Sequence, residues 1–229
     1  MRISSIKRTA KNRLSGNWGK AILTLVLFGV IQGLINMILN GPVNSHYTGT
    51  VFPNPDQQEL VPGGVQSVIE IISWIVNTLL GYGLIVYFLK LVRDEEKSIG
   101  DLFYYYKNGK QFGRAILVGF LVTVFTILWT LLLVIPGIIK SIAYSQVGYI
   151  LKDHPDMNAL DAITLSRRMM DGYKWKFFLL GLSFIGWLLL IIITLGLALF
   201  YVGPYFYASQ AQFYEEVKGA YEEKNETIQ

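Results

Sequence analysis

The chain has 229 residues, of which 52% are hydrophobic and only 16% charged, with a formal net charge of +4. A soluble domain usually carries about 25% charged residues, so this balance, with a mean hydropathy of +0.41, excludes a disordered chain and a simple soluble one. Cysteine is absent, which excludes a disulfide framework, a thiolate nucleophile and a cysteine metal site.

The first element is a basic amphipathic helix over residues 3–14. Ile3, Ile6, Ala10 and Leu14 recur at three and four residues, and Lys7, Arg8, Lys11 and Arg13 fill much of the rest. Gly16 suits its C-cap and Trp18 suits a membrane interface. Such a segment, within a cytoplasmic region 1–19, lies on an anionic leaflet or simply orients the first span.

A spanning helix needs about 20 mostly apolar residues. Residues 21–40 meet this, and the run is too long for a signal-peptide core and lacks a cleavage site. Residues 41–64 follow as an outer loop rich in Gly, Pro, Asn and Gln, containing His46. The second span covers 65–92. The apolar block 115–151 would make one helix about 55 Å long, so Pro136-Gly137 is expected to break it into a hairpin of 115–135 and 138–151. The block 177–214 needs a break too, at Thr194-Leu195-Gly196 or at Gly203-Pro204. The predicted fold is all-α: a single polytopic membrane domain, 1–229, with about six transmembrane helices in three hairpins plus interfacial amphipathic helices. With six spans and both termini inside, nineteen of the twenty basic residues lie on the cytoplasmic side and Lys140 alone lies near the outer side. A five-span chain would instead place the tail 215–229 outside.

The cytoplasmic segment 152–176 is predicted to hold a second amphipathic helix. Asn158 is its N-cap with Asp161 three residues on, Ala159, Ile163, Ser166 and Met170 share a face, and Gly172 ends it. Arg167, Arg168, Lys174 and Lys176 then gather beside Tyr173 and Trp175. Arginines bind phosphate and aromatic rings anchor at headgroup depth, so this cluster is a candidate site for an anionic phospholipid headgroup or an orienting basic belt. A membrane belt explains the basic-aromatic interleaving more simply than nucleic acid does.

Polar residues also occur inside the apolar runs, where they are costly and usually face the bundle interior. Glu70, Asn77, Lys140 and Tyr144 form the candidate intramembrane polar site, serving either helix packing or a transport path. Glu70 and Lys140 are expected to pair near the outer ends of their spans, or to reach the interface separately. No catalytic constellation appears: the motifs of zinc proteases, phosphate loops and serine hydrolases are absent. Asp153, Asp156 and Asp161 near His154 fit turn and capping roles better than a metal site. No cofactor is implied.

The motifs Ile6-Lys7, Ala10-Lys11 and Gly16-Asn17-Trp18, the hairpin Ile135-Pro136-Gly137-Ile138, and the stretch from Ala162-Ile163 through Ser166-Arg167, Gly172 and Lys174-Trp175 to Gly186-Trp187 make a set. With Pro204-Tyr205 and Phe213-Tyr214 they resemble the bacterial integral membrane family catalogued as domain of unknown function 975. A more distant similarity is to the membrane domain of some glycerophosphodiester phosphodiesterases. The resemblance implies a multi-span protein of the bacterial cytoplasmic membrane and no established reaction. The expected function is non-enzymatic: binding of membrane lipid, or of a membrane protein partner, as an accessory or scaffold component. The alternative is a small transporter. The sequence leaves the oligomeric state open.

Overall fold

The computed structural model describes residues 2–44 and 63–226, and the side chains of all of these except 39–44 and 63. Most of the expected outer loop, with His46, lies outside the described residues. The order is α1 (Ile3–Leu14), α2 (Trp18–Asn44), α3 (Gly63–Arg93), a 3-10 segment (Ile99–Tyr106), α4 (Gly109–Leu132), α5 (Val134–Tyr144), α6 (Val147–Asp153), α7 (Ala159–Met169), α8 (Lys174–Leu182), α9 (Ile185–Ile193) and α10 (Leu199–Glu226). No strand occurs among the described residues. Among the described residues, five stretches are long and apolar enough to cross a membrane: Trp18–Ile38, Gly64–Arg93, Gly109–Leu132, Val134–Asp153 and Lys174–Ile193. The protein is a helical membrane bundle.

The second half of α3 is the spine. One of its faces, with Leu84, Phe88 and Leu91, packs against α1 and α10. Another, with Leu79 and Val86, packs against α4 and α6 in a cluster that also holds residues of α5 and α7. Gly83 allows the 3-10 segment to touch α3, because a Cβ there would lie 2.0 Å from the Leu102 carbonyl oxygen.

Burial corrects three expectations. The apolar face of α1 is not laid on lipid: Ile6, Ala10 and Leu14 are fully buried in the protein core. The sixth predicted span, the first half of α10, is not among the five lipid-compatible stretches. Leu199, Phe200 and Tyr201 are exposed, but from Val202 onward its covering is largely protein: Phe88 stacks on Tyr207 at 5.4 Å and Tyr149 on Tyr214 at 4.8 Å. A helix solvated by its neighbours can carry Gln210, Gln212 and Glu215. Its C-terminal part, expected as a tail from 215, continues the helix to Glu226.

The third correction concerns Pro136-Gly137. The reversal falls at Leu133, whose backbone is extended between α4 and α5. A proline ring clashes with the carbonyl four residues earlier, so the break precedes Pro136 by about one turn. Pro136 itself sits in the first turn of α5, where backbone amides have no intrahelical partner. Gly137 serves contact instead: a Cβ there would lie 2.8 Å from the Thr130 Cα across the hairpin. The other turn falls where expected, with Leu195 at φ +50° and Gly196 at φ +92°. Pro204 stays inside α10.

Candidate functional site

The basic residues of 167–176 split between two places. Arg168 and Lys176 line a cleft of about 670 Å³ between the end of α7, the start of α8 and the last turns of α10. Lys224 joins them from α10, and Tyr173, Tyr221 and Asp171 complete the walls. Gly172, at φ +79°, ends α7 and turns the chain into this wall. The Lys176 ammonium lies 5.2 Å above the Tyr173 ring. Asp171 is the cleft's acid, and it engages Lys174 at 3.4 Å. No ion pair links Arg168, Lys176 or Lys224 to an acid among the described residues.

Arg167 and Lys174 do not line this cleft, although Lys174 engages its acid, Asp171. The Ser166 hydroxyl donates to the Ala143 carbonyl at 2.7 Å and seats α7 on the end of α5. Lys140, one turn before Ala143, lies within electrostatic reach of Arg167 and Lys174. Lys140 is therefore on the basic side of the molecule and not on the far side. Trp175 is largely exposed and stacks on Phe178 at 5.1 Å, as an interfacial anchor would.

The four intramembrane candidates do not converge. Glu70 accepts from the Gln66 side chain at 3.1 Å on its own helix. The Lys140 ammonium sits 4.4 Å above the Trp129 ring. The expected Glu70–Lys140 pair is thus replaced by a local hydrogen bond and a cation–π contact. Tyr144 is buried, with its ring 6.4 Å from that of Phe125. Asn77 lines a cleft of about 370 Å³ with Phe28, Thr78, Tyr82, Gly119, Thr123, Tyr207 and Gln210.

A strong polar constellation lies where the sequence showed only turn residues. Asp153, at the end of α6 and 6% exposed, accepts two hydrogen bonds of 2.7 Å from Arg93 at the end of α3. It also accepts from the Tyr214 hydroxyl and the Lys218 ammonium of α10, each at 2.8 Å. Arg93 donates in turn to Glu215 at 2.9 Å. The bidentate geometry and the buried acceptor make this a clamp among three helices. The signal in the sequence is that the apolar blocks 65–92, 115–151 and 177–214 are each followed within two residues by a charge of this cluster, Arg93, Asp153 and Glu215. Asp161 does cap α7 with Asn158, as expected, its amide donating to the Asn158 side chain at 2.9 Å. No metal-binding group occurs among the described residues.

Lys7 of α1 makes a second, partly buried polar contact. Its ammonium donates to the Ser183 carbonyl at 3.2 Å and lies 4.2 Å above the Phe184 ring. A cation at the C-terminal end of α8 complements the helix dipole. Burial pushes the Lys7 ammonium below its ordinary pKa.

No curated protein and no solved structure matches the chain. The similarity to the phosphodiesterase membrane domain is not shown. A family model does match, over residues 1–140 and again over 126–221. The chain therefore belongs to the family described as protein of unknown function, DUF975.

Proposed function

We propose that this is a non-enzymatic protein of the bacterial cytoplasmic membrane, with both termini cytoplasmic, whose basic face binds the headgroup of an anionic phospholipid and so serves as an accessory component. The supporting observation is the cleft that gathers Arg168, Lys176 and Lys224 without an acid paired to any of them among the described residues. Guanidinium and ammonium groups beside tyrosine rings suit a phosphate at the membrane surface. Near an anionic surface each basic residue contributes about 1 kcal/mol, so neutralising all three should lower lipid retention roughly a hundredfold. The test is native mass spectrometry of the protein released gently from its own membrane, comparing wild type with the Arg168→Gln, Lys176→Gln, Lys224→Gln triple variant. Unchanged retention of anionic lipid would sink this reading. A protein partner retained in stoichiometric amount, in place of lipid, would redirect it toward a scaffold role.

Transport is the second reading, and Asn77 is the residue that favours it, through the cleft it lines between α3, α4 and α10. Loss of solute flux in a well-folded Asn77→Leu variant would establish that reading over the first.

A further inference from the structure

We propose that the groove between α5 and α8 holds one acyl chain of an anionic phospholipid, whose phosphate rests on Arg167 and Lys174 at the end of the groove. This site shares no lining residue with the headgroup cleft of Arg168, Lys176 and Lys224 and does not depend on it.

The groove has a volume of about 330 Å³, and sites for small ligands run from about 300 to 1,000 Å³. Ile138 and Ile142 of α5 line it opposite Phe178 and Leu182 of α8, with Phe206 and Gln210 of α10 between them. Gln210 is its one polar lining side chain. Ile138, Phe178 and Leu182 remain 50%, 36% and 40% exposed. Gly181 lines the groove too, and a Cβ added there would meet nothing within 4 Å. The space is therefore open in the folded chain. An apolar slot left empty forfeits dispersion contacts along both walls. Both walls belong to stretches apolar enough to cross a membrane, Val134–Asp153 and Lys174–Ile193, so an acyl chain is the material at hand to fill it.

Charge at one end selects the lipid. Lys174, Phe178 and Gly181 follow at steps of four and three within α8, so they share a face and Lys174 stands one turn beyond the groove. On the other wall Ile142 precedes Ala143, whose carbonyl accepts from Ser166, the neighbour of Arg167. Lys140, between Ile138 and Ile142 in the chain, lies within electrostatic reach of both Arg167 and Lys174. Three cations so placed repel one another unless an anion joins them. Asp171 engages Lys174 at 3.4 Å but is 85% exposed. No acid pairs with Lys140 or Arg167 among the described residues. A phosphate held by the Arg167 guanidinium relieves this repulsion, and its chain then runs along α8 from Lys174 toward Leu182, about 12 Å. A zwitterionic headgroup would bring its own cation into the cluster. A second copy docked here by two-fold symmetry would set the same patch against itself, cations included. The charge therefore favours an anionic lipid over both.

The test is photo-crosslinking of the full chain in phosphatidylcholine vesicles that contain a trace of phosphatidylglycerol with a diazirine in its acyl chain. Crosslinked peptides are mapped by mass spectrometry. Crosslinks should fall within 138–142 and 177–185, and unlabelled phosphatidylglycerol should compete them away. Gly181→Leu fills the groove without meeting protein atoms and should lower this crosslinking about tenfold or more, because the chain loses its apolar contact area. The double variant Arg167→Gln, Lys174→Gln should weaken competition by phosphatidylglycerol about thirtyfold, two basic contacts being lost. The Arg168→Gln, Lys176→Gln, Lys224→Gln variant should leave the crosslinking unchanged, so this site and the headgroup cleft succeed or fail separately. An equal yield from phosphatidylcholine carrying the same diazirine, or a yield untouched by Gly181→Leu, would overturn the proposal by showing ordinary lipid contact only. Competition by a free fatty acid as strong as by phosphatidylglycerol would overturn it in favour of a fatty-acid site. A dimer in native mass spectrometry that Gly181→Leu dissociates would overturn it by giving the groove to a second copy. Ile138→Trp repeats the block should Gly181→Leu fail to fold.

Discussion

Asp153 shows how far a residue's weight depends on its surroundings. Its side chain is 6% exposed and holds Arg93 and Lys218, so Asp153→Asn leaves Lys218 facing a neutral amide and Arg93 with Glu215 and Glu95 alone. With Arg93 and Lys218 19% and 27% exposed, the cost lies between that of a surface pair, about 0.5 kcal/mol, and that of a fully buried one, about 3 kcal/mol, and thermal unfolding in detergent micelles should show a loss in that range. Asp156 pairs with Lys110, but the two side chains are 86% and 75% exposed. Asp156→Asn should change stability by less than about 0.5 kcal/mol in the same measurement. Backbone conformation supplies a second contrast. Leu195 holds φ +50° with its side chain free of packing, and a left-handed residue with a Cβ costs roughly 1 kcal/mol. Leu195→Gly should therefore stabilise by a few tenths to about 1 kcal/mol, the gain being reduced by glycine's greater unfolded entropy. Gly196→Ala, at φ +92°, should destabilise by about 1 kcal/mol or more.

At the scale of elements, the sequence showed the period of α1 correctly but not its surroundings. A stripe of Ile6, Ala10 and Leu14 beside lysines and arginines is equally compatible with a leaflet and with a protein groove. The groove formed by α3, α8 and α10 takes it. Ile6→Ala should accordingly cost about 3 kcal/mol of stability, as a buried truncation does, while the protein stays in the membrane fraction. A helix bound only to lipid would show no such loss on thermal unfolding. The contact of α3 with the 3-10 segment depends on Gly83, where a Cβ would meet the Leu102 backbone at 2.0 Å. Gly83→Ala should cost about 1–3 kcal/mol, because backbone must move to make room. The Pro136-Gly137 pair was legible as a hairpin signal but not as to position. Proline acts on the preceding turn, and glycine here serves packing against Thr130 and not reversal.

Across the whole molecule, burial is uneven. The second half of α3, α6 and the middle of α10 form a dense layer, whereas α2, the first turns of α3 and both hairpin tips expose leucine, isoleucine and valine. Backbone exchange should follow this division. In hydrogen-exchange mass spectrometry, residues 79–93 and 202–217 should exchange most slowly both in detergent and in lipid, because opening them breaks the core.

The sequence by itself determined that the chain is helical and lives in a membrane, that α7 begins at Asn158, and that turns fall near Gly16, Gly172 and Leu195-Gly196. These follow from local period, capping and backbone sterics, each written within a few residues. Only the tertiary structure decided which charges meet. Arg93 and Asp153 are 60 residues apart in the chain and Asp153 and Lys218 are 65 apart, so no spacing announces them. It also separated Arg167 and Lys174 from Arg168 and Lys176, because adjacent positions on a helix are about 100° apart and face different neighbours. And it decided that the middle of α10, from Val202 to Val217, is packed in protein, since an apolar residue's preference for leaving water does not specify whether lipid or another helix receives it.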